Sequence, residues 1–233
     1  MRSTKIFVMM ALLLSAPSLW AAGGGSGGIS IGVNVGFVNA DQKDINKEIE
    51  SSASTSGSDK FGNAWEGNVH FTYRLSSSSV AIGLRPSFFY YKEEEGTNAK
   101  YNLNGFTIFP MIKWYMLEDQ NIKFYSQFGV GYGQLNGEIE VSSADVKFSG
   151  GDIGYLLGLG AEFCIVPGHC INVEGGARFL SINRFTADSA SGTFSSPSRI
   201  TQAQKEKEVE IDGSDLAASM SGVLAMVGYT MYF

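Results

Sequence analysis

From Ile29 onward the chain alternates apolar and polar residues with a period of two. Ile29, Ile31, Val33, Val35 and Phe37 share one face, and Ser30, Gly32, Asn34 and Gly36 share the other. This pattern predicts a strand whose two faces meet different surroundings. A second segment sets Trp65, Val69, Phe71, Tyr73 and Leu75 against Glu66, Asn68, His70, Thr72 and Arg74. A third sets Val80, Ile82, Leu84, Phe88 and Tyr90 against Ala81, Gly83, Arg85 and Ser87. The fourth sets Phe106, Ile108, Ile112, Trp114 and Met116 against Gly105, Thr107 and Lys113. In the fifth, Phe124, Phe128, Val130 and Tyr132 oppose Lys123, Tyr125, Gln127 and three glycines. The sixth pairs Ile153, Tyr155, Leu157, Leu159 and Phe163 with Asp152, Gly154, Gly158, Gly160 and Glu162; the seventh pairs Ile171, Val173, Ala177 and Phe179 with Asn172, Glu174, Gly176 and Arg178. The eighth carries Val223, Ala225, Val227, Tyr229, Met231 and Phe233 on one parity, and Leu224 and Met226 make it less clean on the other. Pro86 and Pro110 fall on apolar faces. Because proline cannot donate to a ladder, these two positions are expected to mark bulges.

The connections alternate as well. Residues 76–79, 117–121 and the Pro167-Gly168 pair are tight turns, whereas 39–63, 92–101, 136–150 and 186–214 are long loops. The long loops carry formal charges of −2, −1, −2 and −2. Strict alternation of long and short links places every long loop at one end and the short turns, with both termini, at the other. That is the layout of an up-and-down barrel in an outer membrane.

Composition agrees with strands. Of 233 residues 29 are glycine, and charged residues make up 17%, against averages of about 7% and about 25%. Glycine in a helix interior costs roughly 1 kcal/mol relative to alanine, so an ordinary helical protein is disfavoured. Aromatics at 12% are too many for a disordered chain, and two cysteines are too few for a disulfide scaffold. The net charge of −6 leaves no basic surface for nucleic acid.

At the N-terminus Arg2 and Lys5 precede an apolar run over residues 6–14 and the small residues Ala21 and Ala22. This order predicts a secretory signal peptide over 1–21, cut after Ala21. Nine apolar residues cover about 14 Å as a helix, too little for a bilayer core of about 30 Å. Loss of Arg2 and Lys5 takes the formal charge from −6 to −8. Residues 22–28 read as a flexible glycine-rich lead-in and 29–233 as one barrel domain.

A soluble sandwich would bury the large apolar face in a shared core. Two features favour lipid. The other parity is rich in glycine interspersed with charge, as befits a narrow lumen. Aromatics also gather near strand ends (Trp65, Phe88 to Tyr91, Trp114, Tyr115, Tyr229 and Phe233), as interface girdles do. The fold class is therefore all-β, an eight-stranded antiparallel up-and-down transmembrane barrel. The final Val227-Gly228-Tyr229-Thr230-Met231-Tyr232-Phe233 resembles the terminal strand of Gram-negative outer-membrane barrels. Over its mature length the chain is similar to the small OmpA/OmpX/OmpW-like families. The resemblance implies that Tyr229, Met231 and Phe233 form an assembly signal read by the barrel-assembly machinery. It implies no cofactor.

Cys164 and Cys170 flank the 165–169 turn, and in an oxidising compartment this placement predicts a disulfide, ahead of free thiols or a metal site with His169. Glu66, His70, Arg74, Arg85, Lys113, Lys123, Glu162, Glu174 and Arg178 form the predicted lumen network, with five bases and three acids. An eight-stranded interior is just wide enough for side chains to fill, so a paired-charge plug is expected ahead of a narrow channel for ions or small solutes. His70 is the sole strand histidine placed inward, and no serine or aspartate constellation attaches to it, so no enzyme is expected. The acidic run 93–95 and the segment 205–208 read as solvated loop surface ahead of cation bridging to lipopolysaccharide phosphates, and the serine-rich 189–198 reads as flexible. Expected partners are outer-membrane lipid and lipopolysaccharide, the assembly machinery, and an extracellular partner reached through the long loops, with envelope integrity or surface interaction as the role.

Overall fold

The computed structural model describes residues 28–40, 42–56, 60–91, 94–95, 98–141 and 144–233. The predicted signal peptide, the lead-in up to residue 27 and Glu93 lie outside them. Eight long strands form a ring: β1 (Ile29–Asn39), β2 (Asn63–Arg74), β3 (Val80–Tyr91), β4 (Ala99–Glu118), β5 (Ile122–Val141), β6 (Ala144–Val166), β7 (His169–Phe179) and β8 (Gly222–Tyr232). Each pairs antiparallel with its chain neighbours, and β8 closes the ring on β1 from Ser30 opposite Tyr232 to Asn39 opposite Val223. No helix among the described residues is long and apolar enough to cross a membrane.

The outward parity is the apolar one. Trp65, Ile153, Leu159 and Val223 are each more than 60% exposed, whereas Glu66, Arg85, Lys113, Glu162 and Arg178 are 2% exposed or less. On β2 the exposed band runs from Trp65 to Leu75. Ten residue steps are about 33 Å along a strand and about 25 Å along the axis at a tilt of roughly 40°, the height of a lipid-facing belt.

Neither proline makes a bulge. Around Pro86 the β2–β3 ladder lacks two pairs and resumes in the same register, and around Pro110 the β4–β5 ladder does likewise. A missing N–H interrupts pairing locally without inserting a residue. Register shifts occur instead at the short-turn end, between Tyr115 and Leu117 and between Cys164 and Val166. Three residues assigned by sequence to the aromatic girdles, Phe89, Tyr91 and Tyr115, point inward and are buried.

The long-loop end departs further from expectation. The connection expected over 136–150 is a continuation of strands: β5 and β6 pair up to Val141 opposite Ala144. With β4 they run 20 to 23 residues, against 11 or 12 in the other five. Alternation persists in the extension with its sense reversed. Tyr101, Leu103, Leu135, Ile139, Val146 and Phe148 are buried inside, while Asn102, Asn104, Asn136, Glu138 and Lys147 face out. Outside the bilayer the outward surface meets water, so polar residues belong there and apolar ones must turn in.

The 39–63 connection contains a helix, α1 (Lys43–Ser56), whose Ile45 and Ile49 are buried in the same apolar cluster as Phe61, Tyr91, Ile200, Val209 and Leu216. Polar side chains hook it in place. Gln42 donates to the Tyr91 hydroxyl at 2.7 Å and accepts from the Ser219 amide at 3.1 Å, and Glu48 accepts from the Arg199 amide at 2.6 Å. A strand, Thr186–Ser191, pairs with β6 and takes in the first three residues of the serine-rich 189–198 stretch read as flexible. Together α1 and the 180–221 segment cap the long-loop mouth.

Candidate functional site

The lumen is built from the inward parity of all eight strands, which alternation fixes without appeal to any single residue. Acids and bases placed on different strands meet across it. Arg178 on β7 donates to Glu66 on β2 at 2.8 Å. Arg85 on β3 donates to Glu174 on β7, which also accepts from the Tyr125 hydroxyl at 3.3 Å. Lys113 on β4 donates to Glu162 on β6 at 3.0 Å, and Tyr232 of the last strand donates to the other carboxylate oxygen. All six side chains of these pairs are 2% exposed or less. Isolated charges at that depth would be strongly destabilised, whereas hydrogen-bonded opposite charges offset much of their desolvation.

A fourth layer lies at the short-turn mouth. Arg74 grips Glu118 with two bonds of 2.9 and 2.6 Å, and Lys123 reaches the same carboxylate at 3.4 Å. By sequence Glu118 falls within a turn. The one-residue register shift after Tyr115 brings its side chain to the lumen mouth, and no feature of the sequence announces that shift. With it, five bases face four acids. Aromatic faces supply the rest of the cationic environment: the Lys113 ammonium sits 3.8 Å from the Tyr125 ring centre, the Lys123 ammonium 3.7 Å from Tyr232, and the Arg74 guanidinium 4.4 Å from Tyr115.

The glycines of the inward face are occupied space. A Cβ on Gly160 would lie 2.3 Å from the Tyr125 ring, and one on Gly131 would lie 2.7 Å from Phe109. At Gly137 the clash would be 2.2 Å from Phe148, and at Gly32 it would be 2.2 Å from the His70 imidazole. Each therefore makes room for a large side chain that crosses the interior. His70 lies 3.4 Å from Asn34 Nδ2 through Nδ1 and 3.4 Å from the Thr230 hydroxyl through Nε2. It is a member of an amide–hydroxyl layer. Above the ion pairs, Phe109, Leu156, Leu180, Met220, Leu224 and Met226 fill the barrel up to the cap. Leu224 and Met226, which blur the pattern of the eighth segment, belong to this plug.

Cys164 and Cys170 form a disulfide across the β6–β7 hairpin, whose two-residue turn places Gly168 at φ +80°. Of the C-terminal trio, Tyr229 bonds His169, Met231 pairs across from Ile31, and the Phe233 amide donates to the Ile29 carbonyl at 2.8 Å. The described residues hold no group of three or more histidine, cysteine, aspartate or glutamate side chains placed to bind a metal ion.

Residues 6–201 match the family of outer membrane protein beta-barrel domains, and the chain belongs to that family. Its fold is that of solved outer-membrane barrels. It is similar to the outer membrane protein OprG from Pseudomonas aeruginosa at 14% identity and a TM-score of 0.53, over 91% of this chain and 98% of that one. It is also similar to a major outer membrane protein from Thermus thermophilus at 11% identity and a TM-score of 0.55, over 89% and 99% of the two chains. Among curated proteins none matches significantly in sequence.

Proposed function

We propose that this barrel is a closed, non-enzymatic element of the outer membrane that contributes to envelope integrity and presents its capped end to the exterior. The observation that carries the reading is the filled interior: three fully buried ion pairs among the described residues, the inward glycines Gly32, Gly131, Gly137 and Gly160 opposed by large side chains, and an apolar plug beneath the cap. The chain is delivered by a signal peptide over 1–21 cut after Ala21, and the assembly machinery reads the C-terminal strand. His70 is held by the Asn34 amide and the Thr230 hydroxyl, and among the described residues no carboxylate hydrogen-bonds it to orient it as a general base.

Planar-bilayer recordings on the refolded protein test the proposal. A closed lumen gives no steady conductance in the native protein. Stable ion-selective steps that change sign of selectivity on Arg85→Glu would replace this reading with that of a narrow channel. Fractionation with outer membranes, together with an N-terminus beginning at Ala22, tests the delivery route.

A further inference from the structure

The outward face of the β4–β6 extension continues the lipid-facing belt without a break in strand or parity. Along β4 the outward residues pass from Ile108 and Phe106 to Asn104 and Asn102; along β5 they pass from Val130 and Tyr132 to Gln134 and Asn136. Asn104 stands directly opposite Asn136, and Asn136 opposite Ser149 on β6. This amide and hydroxyl row therefore begins within one or two residue pairs of the last apolar row, a step of about 7 Å per pair along the strand. The polar headgroup zone on each side of the hydrocarbon core is about 5–7 Å deep. The row has to stand among the headgroups and whatever sugars they carry.

Its chemistry selects the neighbour. Asn104 and Asn136 are uncharged donors and acceptors, suited to hydroxyl groups; Asn136 also accepts from Gln134 at 3.3 Å, and Ser149 donates to Asp188 at 3.1 Å, so a carboxylate edges the row on β6. The next row out pairs Glu138 with Lys147 at 2.7 Å and so is internally neutralised. Beyond it Glu140 stands between Lys100 on β4 and Asp145 on β6, a row of net negative charge. Such a face offers hydrogen bonds to sugar and little attraction for bare phosphate. It is also one-sided, because β1, β2, β3, β7 and β8 end near the membrane surface and give way to the cap. We infer that the outward amide row of the β4–β6 wall, centred on Asn104, Asn136 and Ser149, is a docking face for the saccharide headgroups of outer-leaflet glycolipid.

The test uses the full mature chain in nanodiscs of phospholipid mixed with either lipid A or lipopolysaccharide bearing core sugars, with glycolipid retained on the protein counted by native mass spectrometry after mild extraction. Two to three added hydrogen bonds correspond to about tenfold greater retention of the core-bearing form. The Asn104→Ala, Asn136→Ala, Ser149→Ala variant brings it down to the lipid A level. Equal retention of the two glycolipids by the native protein overturns the inference and needs no variant; so does a variant that retains heat-modifiable mobility and loses no selectivity. Equal retention would leave the lumen recordings untouched, so failure here and failure of the closed-barrel reading are read from separate measurements.

Discussion

Glu66 and Arg178 lie 112 residues apart in the chain and meet at 2.8 Å across the barrel, each 1% exposed. The pair joins β2 to β7, strands that share no ladder, and the same is true of Arg85 on β3 and Glu174 on β7. Hydrogen bonds between neighbouring strands fix each local register. These cross-lumen pairs fix how the two halves of the ring face one another.

Removing one partner should be costly and removing both should not. Glu174→Gln leaves Arg85 uncompensated at full burial, a change of about 3–5 kcal/mol. Replacing Arg85 and Glu174 together by Met and Leu should recover most of that loss. The temperature at which the folded, fast-migrating form disappears on electrophoresis reports both. Equal destabilisation by single and double variants would show that packing, and not the charge pair, dominates this layer.

The cap belongs to the core. Ile49 is fully buried and packs in the cluster that fills the outer end of the barrel. Ile49→Ala should cost about 2–5 kcal/mol locally and expose 199–214 to protease while the barrel itself still folds. Trimming 39–63 to a short turn should uncover Tyr91, Ile200 and Val209 and promote aggregation. An adhesin whose loops are free of the barrel would tolerate that trimming.

The disulfide closes a short loop. Cys164→Ala with Cys170→Ala should lower stability by roughly 2 kcal/mol on the loop-entropy account for about seven residues. Urea unfolding in lipid vesicles would measure it. Reduction of the native protein should reproduce the shift, and a larger effect of mutation than of reduction would point to packing around the buried Cys170.

Acid should loosen the outer segment. The hydrogen-bonded Arg199 guanidinium holds the Asp212 carboxyl below the usual aspartate range. A carboxylate depressed in the folded state stabilises it above the unfolded pKa and loses that contribution as pH falls through the folded one. Protection of the Ile200 and Gly213 amides, taken relative to their intrinsic exchange rates at each pH, should therefore be high at neutral pH and fall below about pH 4. Asp212→Asn should remove most of the pH dependence.

The ring itself was legible because lipid and lumen impose opposite demands on alternate residues, so β1, β2 and the membrane portions of β4 to β7 declare their faces. What escaped did so for identifiable reasons. Leu103 and Ile139 alternate as faithfully as Phe106, but beyond the membrane the apolar member turns inward, so the stretch reads as loop. Helix α1 has only Ile45 and Ile49 at helical spacing among lysine, glutamate and serine, too thin a stripe to stand out. Glu118 entered the lumen through a register shift. Buried Tyr115 and Tyr125 and half-buried Tyr232 became partners of charge only when the strands were brought around.

β1 needs β8, and β8 begins at Gly222. The first strand therefore stays without one of its two partners until nearly the whole polypeptide is present, a contact spanning some two hundred residues. A chain cut short anywhere before that clasp keeps two raw edges, and lipid offers them no hydrogen bonds. Closure is thus all-or-nothing: a copy that ends before β8 has no strand with which to seal the ring.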